Sequence, residues 1–267
     1  MRILVFGGTL FLGRHVVEAA LTRGHEVTLF NRGVTSPDLF PDVEKLKGDR
    51  SKDLTPLKGR QWDAVIDPSG YIAHHVRASV ELLANSVGHY SLVSTNGVYT
   101  DVGDEPVDEN WKVATPVDES INHYTGKSFN IRNETTGGFA FDNVIGHKVL
   151  CEQIVQEKLS GRALVYRPGL IVGPHDRTDR FTYWIRRISQ GGKILVPKNP
   201  KRPQQIIDVR DLAEWNVRMA ESRQTGVYNT EGPDYKLTMK QILDECQTIT
   251  NSEVELVWVE QKFLDEQ

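Results

Sequence analysis

The feature that most limits what this chain can fold into lies in its first 13 residues. A short apolar run, residues 3–6, ends in Gly7-Gly8-Thr9-Leu10-Phe11-Leu12-Gly13, and Leu12, Val16, Val17 and Ala20 then recur at helical spacing. A buried strand, a tight turn and a helix must therefore follow one another. The glycines permit the turn and let its backbone N–H groups come close to an anion, while the helix N-terminus adds partial positive charge. That arrangement suits the pyrophosphate of a dinucleotide. Leu10 stands where the usual fingerprint has a further glycine.

The alternation continues along the chain. Strands are expected at residues 26–30, 45–47, 64–66, 90–93 and 163–166, with helices at 11–23, 72–87 and 143–159. This order predicts an α/β fold, a doubly wound parallel Rossmann sheet. Residues 100–140 hold Gly, Asp, Asn and Thr throughout and read as a long functional loop. Beyond Pro168 the pattern loosens, with helices at 179–190, 209–221 and 238–248 and strands at 226–229 and 253–259. We expect a dinucleotide-binding core over residues 1–170 and a small substrate-side lobe over 171–267, interleaved with the core.

A chain of 267 residues buries enough surface to fold without staples. Its net charge of −4 gives no electrostatic ground for nucleic acid as the main partner. Cys151 and Cys246 have no metal-site spacing and read as plain helix residues. No stretch reaches the roughly 20 apolar residues of a membrane span, so the expectation is a soluble, cytoplasmic protein without a membrane partner. Asn133-Glu134-Thr135 has the form of a glycosylation acceptor and is read as coincidence. No metal site is expected: His74 and His75 are adjacent and diverge on a helix, and His175, Asp176 and Asp179 read as a loop over the substrate. Lys198, Lys201 and Arg202 read as a solvated loop.

The end of the second strand reads Phe30-Asn31-Arg32-Gly33. An acidic residue there would accept from a ribose 2′-hydroxyl; a neutral Asn31 and a forked Arg32 instead favour a 2′-phosphate, with Arg14 assisting. The expected cofactor is NADP, with NAD second.

Five segments occur in order: Gly7 to Gly13, Asp49-Arg50, Val93-Ser94-Thr95-Asn96-Gly97-Val98-Tyr99, Arg167-Pro168-Gly169 and Ile207-Asp208-Val209-Arg210-Asp211-Leu212-Ala213. Together they resemble the short-chain dehydrogenase/reductase superfamily, in its extended or atypical branch of NAD-dependent epimerase/dehydratase-like proteins. The resemblance implies that Gly7, Gly8, Thr9, Phe11, Leu12 and Gly13 hold the pyrophosphate and that Asn31 and Arg32 meet the ribose. Asp49 would contact the adenine, and Ser69, Gly70 and Tyr71 would line ribose and phosphate, with Arg50, Lys148 and Pro168 completing the cofactor set. It places Thr95 and Lys148 as catalytic residues, Thr95 bonding the reacting oxygen of the substrate.

One departure is serious. The family pairs its lysine with a tyrosine four residues earlier, and here that residue is Val144, which transfers no proton. Tyr124 and Lys127 are three apart in the irregular loop, His147 points about 100° away around the helix, and nothing in the sequence brings Tyr99 or Tyr183 to the site. Asn96 and Gly97 after Thr95 argue against sugar dehydration. Either catalysis uses another acid, or the protein binds cofactor without the usual reaction. The leading expectation is an NADP-dependent oxidoreductase or epimerase-like protein acting on a carbohydrate-like or other small carbonyl/hydroxyl substrate. The alternative is a non-catalytic NADP-binding regulatory or RNA-associated protein. The chain also reads as a short member of its kind, with an open substrate side and with Phe263 and Leu264 exposed or covered by a second subunit in a homodimer.

Overall fold

A computed structural model describes residues 1–103, 106–118, 141–260 and 262–263, with the backbone alone for 141–143. Tyr124, Lys127, Asn133 and Leu264 lie outside the described residues.

The first unit comprises Met1–His175 and Ile207–Thr230. Its strands are β1 (Arg2–Phe6), β2 (Glu26–Asn31), β3 (Glu44–Lys47), β4 (Trp62–Asp67), β5 (Val87–Val93), β6 (Ala163–Pro168) and, late in the chain, β10 (Gly226–Thr230). They form one seven-stranded sheet in the order β10-β6-β5-β4-β1-β2-β3, and every neighbouring pair is parallel. The order reverses between β1 and β4, the topological switch point of a doubly wound fold.

The period-2 alternation of buried strands builds two cores. Ile3, Val5, Leu29 and Ile66 face one way, beneath α1 (Phe11–Thr22) and α5 (Val209–Glu221). Leu4, Phe6, Val65 and Leu92 face the other, beneath α2 (Ala73–Leu83) and α3 (Phe141–Lys158). Strands buried on both faces read as continuous apolar runs, which is why β1, β4 and β6 were legible in the sequence. The short pair β7 (Leu170–Val172) and β9 (Ile206–Asp208) was not expected.

The second unit comprises Asp176–Ile206 and Glu231–Gln267. Residues 207–230, which a single cut at residue 170 assigns to the lobe, thus return to the large sheet. Within the second unit, β8 (Gly192–Pro197) pairs in parallel with β11 (Val254–Val259), and α4 (Thr182–Ser189) and α6 (Met239–Thr250) pack with them around Ile188, Ile194, Val196 and Leu243. Thr238 caps α6 through a reciprocal capping box with Gln241. Among the described residues no helix is long and apolar enough to cross a membrane.

Candidate cofactor and active site

The turn after β1 is shaped by its glycines. Gly7 and Gly8 sit at φ +92° and +86°, a region L side chains avoid. A Cβ on Gly8 would lie 2.5 Å from Leu29 Cδ2, and one on Gly13 would lie 3.0 Å from the Gly8 nitrogen, so turn and helix touch backbone to backbone. A Cβ on Gly7 would meet nothing within 4 Å: this side of the turn is open. No side chain caps α1, and its first turn holds no acidic residue. The first N–H groups of the helix are therefore left for an anion. A Cβ on Gly13 would also lie 3.5 Å from Pro68, so the loop after β4 forms the other wall. Open backbone, uncapped N–H groups and the switch point fit a dinucleotide pyrophosphate.

The other residues expected in this set fall into distinct roles. Thr9 donates its hydroxyl to the Thr35 carbonyl (2.8 Å), and Leu12 is buried in the core, so both would reach a ligand through backbone alone. Phe11, at φ +34°, packs partly against the same core. Asn31 binds the turn: its amide nitrogen donates to the Gly7 carbonyl (2.8 Å) and its amide oxygen accepts from the Gly33 N–H (2.8 Å). It positions the turn from β2. Arg14 pairs with Glu18 along α1 (2.8 Å). Arg32 is exposed, and together with Lys52 its charge acts on Asp49, while the Lys47 side chain lies beside Gly33. Cations thus gather at the ends of β2 and β3. The Asp49 carboxyl accepts from the Ser51 N–H (2.9 Å) and hydroxyl (2.6 Å), which chiefly hold it below the usual carboxylate range.

Arg50, expected in the cofactor set, turns its guanidinium inward. It donates to Asp67 (2.9 Å to Oδ1, 2.7 Å to Oδ2), Ser79 Oγ (2.9 Å) and the His75 carbonyl (3.2 Å), and it stacks on Phe6. Asp67 ends β4, is fully buried, and also accepts from the Tyr90 hydroxyl (2.7 Å) and from the N–H and hydroxyl of Ser69. Burial works against both charges, yet each holds the other ionised: Asp67 is lowered and Arg50 raised. The pair fixes the loop Ser69-Gly70-Tyr71 from below. Gly70 leaves no room for a side chain, since a Cβ there would meet Leu92 at 2.4 Å.

Thr95 follows the end of β5, half-buried, and its Oγ1 accepts from the Gly97 N–H (3.1 Å) as cap of a short 3-10 turn. Lys148 is 3% exposed on α3; its Nζ donates to the Val93 carbonyl (2.8 Å) and lies 3.9 Å from the centre of the Tyr71 ring. Burial pulls its ammonium down to about 8, opposed by Cys151, Asp67 and Glu152. Val144 lies one helical turn before it, half-buried. Pro168 is buried at the end of β6.

A second buried network was not foreseen. Glu152, one turn beyond Lys148, accepts from Arg167 (2.6 Å) and from the Ser94 hydroxyl. Arg167 also donates to the Tyr99 hydroxyl (3.0 Å), which in turn donates to Asn229 Oδ1 (2.6 Å). Tyr99 is thereby committed inside the fold and is no stand-in for the missing tyrosine. The i,i+4 spacing puts Glu152 on the face of α3 that carries Lys148, but nothing in the spacing names Arg167 or Ser94 as its partners. Among the described residues no group of three His, Cys, Asp or Glu side chains could hold a metal ion.

Fold and site define a doubly wound α/β protein whose glycine turn has the shape to take a dinucleotide. The model of the NAD dependent epimerase/dehydratase family matches residues 144–230. Solved structures share the fold across the chain. UDP-glucuronic acid 4-epimerase from Bacillus cereus in complex with NAD has a TM-score of 0.73 at 15% identity, covering 97% of this chain and 88% of that one. UDP-glucose 4-epimerase from Thermus thermophilus in complex with NAD has 0.68 at 17%, covering 100% and 93%. dTDP-glucose 4,6-dehydratase from Bacillus anthracis in complex with NAD has 0.71 at 16%, covering 97% and 85%. These findings agree with the resemblance read from the sequence: residues 144–230 match the epimerase/dehydratase family model, and the whole chain shares the fold of these epimerases and of the dehydratase. It is also similar to the chloroplast stem-loop binding protein of 41 kDa b from Arabidopsis thaliana, 26% identical over 254 residues, which are 88% of this chain and 59% of that relative's length.

Proposed function

We propose that this protein is an NADP-dependent oxidoreductase or epimerase-like enzyme acting on a carbohydrate-like or other small carbonyl/hydroxyl substrate. The observation that carries the reading is the open Gly7 backbone beside the uncapped start of α1, walled by the loop after β4. Gly7, Gly8 and Gly13 would hold the pyrophosphate, and Ser69, Gly70 and Tyr71 the neighbouring ribose and phosphate. Arg32, with Lys47 and Lys52 near it, would take the 2′-phosphate. When bound, the cofactor supplies a hydride acceptor and donor; Thr95 would bond the reacting oxygen and Lys148 would supply positive charge beneath it.

Val144 favours a second reading, a non-catalytic NADP-binding protein with a regulatory or RNA-associated role, and the name of the Arabidopsis relative agrees with it. One experiment separates the two. NADPH is titrated by fluorescence, and its oxidation is then followed with a panel of sugar nucleotides and small carbonyls. Binding with turnover supports the enzyme; binding without turnover of any panel member supports the second reading; no binding removes both.

A further inference from the structure

The helix that carries Lys148 has no phenol one turn earlier, and the Tyr99 hydroxyl is held by Arg167 and Asn229. The phenol that the structure does set against Lys148 is Tyr71. Its ring centre lies 3.9 Å from the ammonium, which is also fixed by its bond to the Val93 carbonyl. Tyr71 stands half-buried on the loop after β4, next to Ser69 and Gly70 and three residues beyond Pro68, which lies beside Gly13 of the turn. Lys148 reaches it from α3, while Val93 leads to Thr95 just past the end of β5. Three elements therefore bring a phenol, an ammonium and a hydroxyl-bearing strand end to one side of the switch point.

We propose that Tyr71 performs the proton transfer for which relatives use a tyrosine on the helix, with Lys148 as its cationic partner. The proposal rests on the enzyme reading above. A cation against an aromatic face stabilises it, and more so when the ring carries the negative charge of a phenolate. The other charged or titratable groups that act on Lys148 are Asp67, Arg50, Cys151 and Glu152. In the oxidative direction the substrate hydroxyl gives its proton to the Tyr71 phenolate while its carbon gives a hydride to the nicotinamide of NADP+. A C=O bond forms, the cofactor is reduced, and the proton rests on Tyr71; reduction runs the same steps backwards.

The test uses the full chain, NADPH, and phenanthrenequinone as the probe carbonyl, with wild type, Tyr71→Phe and the double variant Tyr71→Phe/Val144→Tyr. Tyr71→Phe keeps the ring that lines the cofactor and removes only the hydroxyl, so turnover at saturating NADPH should fall by about 100-fold or more, a larger factor than any loss of NADPH affinity. It should also remove one ionisation from the pH–rate profile. The double variant, with a phenol restored one turn before Lys148, should recover part of the loss. In protein labelled with carbon-13 tyrosine, a ring resonance absent from Tyr71→Phe should move as Lys148 titrates, and Lys148→Met should abolish that movement. Turnover unchanged in Tyr71→Phe, a wild type that binds NADPH yet reduces no probe, or a Tyr71 resonance indifferent to Lys148 each overturns the proposal. Failure of wild type to bind NADPH would instead remove the enzyme reading on which it rests.

Discussion

Replacing Lys148 by Met should make the protein more stable near neutral pH. The ammonium is 3% exposed, and burial lowers it from the ordinary 10.5 to about 8. That fall corresponds to a penalty of about 3 kcal/mol on the charged form at neutral pH. Methionine has a similar shape and no charge, but it loses the bond to the Val93 carbonyl and the ammonium's contact with the Tyr71 ring, a cost of about 1 kcal/mol each. The net expectation is a gain of about 1 kcal/mol. The sign reverses with pH. Between about 8 and 10.5 the unfolded chain keeps the proton that the folded chain has released, so wild type gains stability as pH rises through that window. The variant has no such titration, and its advantage should fade and turn into a small deficit at the upper end. Urea unfolding of both proteins at neutral pH and again near pH 10 measures this directly. A variant less stable than wild type by more than about 1 kcal/mol at neutral pH would refute the reasoning, because the buried ammonium would then be a net stabiliser.

Three further outcomes follow from the same geometry. Asp67→Asn leaves the Arg50 guanidinium buried without its carboxylate and should cost about 3–5 kcal/mol in urea unfolding; because Asp67 is lowered, the pair's contribution is present above the ordinary carboxylate value of 3.8 and disappears as pH falls beneath it, which acid titration of wild type against the variant would show. Gly13→Ala places a Cβ 3.0 Å from the Gly8 nitrogen, where only backbone can move, and should weaken dinucleotide binding by about tenfold or more in a fluorescence titration while the chain stays folded by circular dichroism. Arg32→Ala should weaken NADPH binding by about 1.5–3 kcal/mol and leave NADH binding almost unchanged.

Much of the fold was legible because the sheet is buried on both faces. Residues 3–6, 64–66 and 163–166 are apolar without alternation, and each is a central strand. The strand β8 was not legible: Gly192-Lys193 opens it, and its partner β11 lies about 60 residues later, so no local turn announces the pair. At the site, the glycine turn could be read from spacing, since only glycines fit there. Asn31 and Arg50 could be placed at the right strand ends, but not oriented. The first turns back to bind Gly7 and the second descends to Asp67, because buried polar groups take the nearest complementary partner. The contact between Tyr71 and Lys148 joins loop and helix residues 77 positions apart, a pairing that only the folded sheet creates.

The central claim is that the turn from Gly7 to Gly13 holds a dinucleotide, with the phosphorylated form preferred. The most direct measurement is a calorimetric titration of wild type with NADP+ and with NAD+ at one salt concentration. The account predicts one site per chain, tighter for NADP+ by about tenfold or more. Equal affinities would contradict the role given to Arg32, and absence of binding by either cofactor would contradict the claim itself.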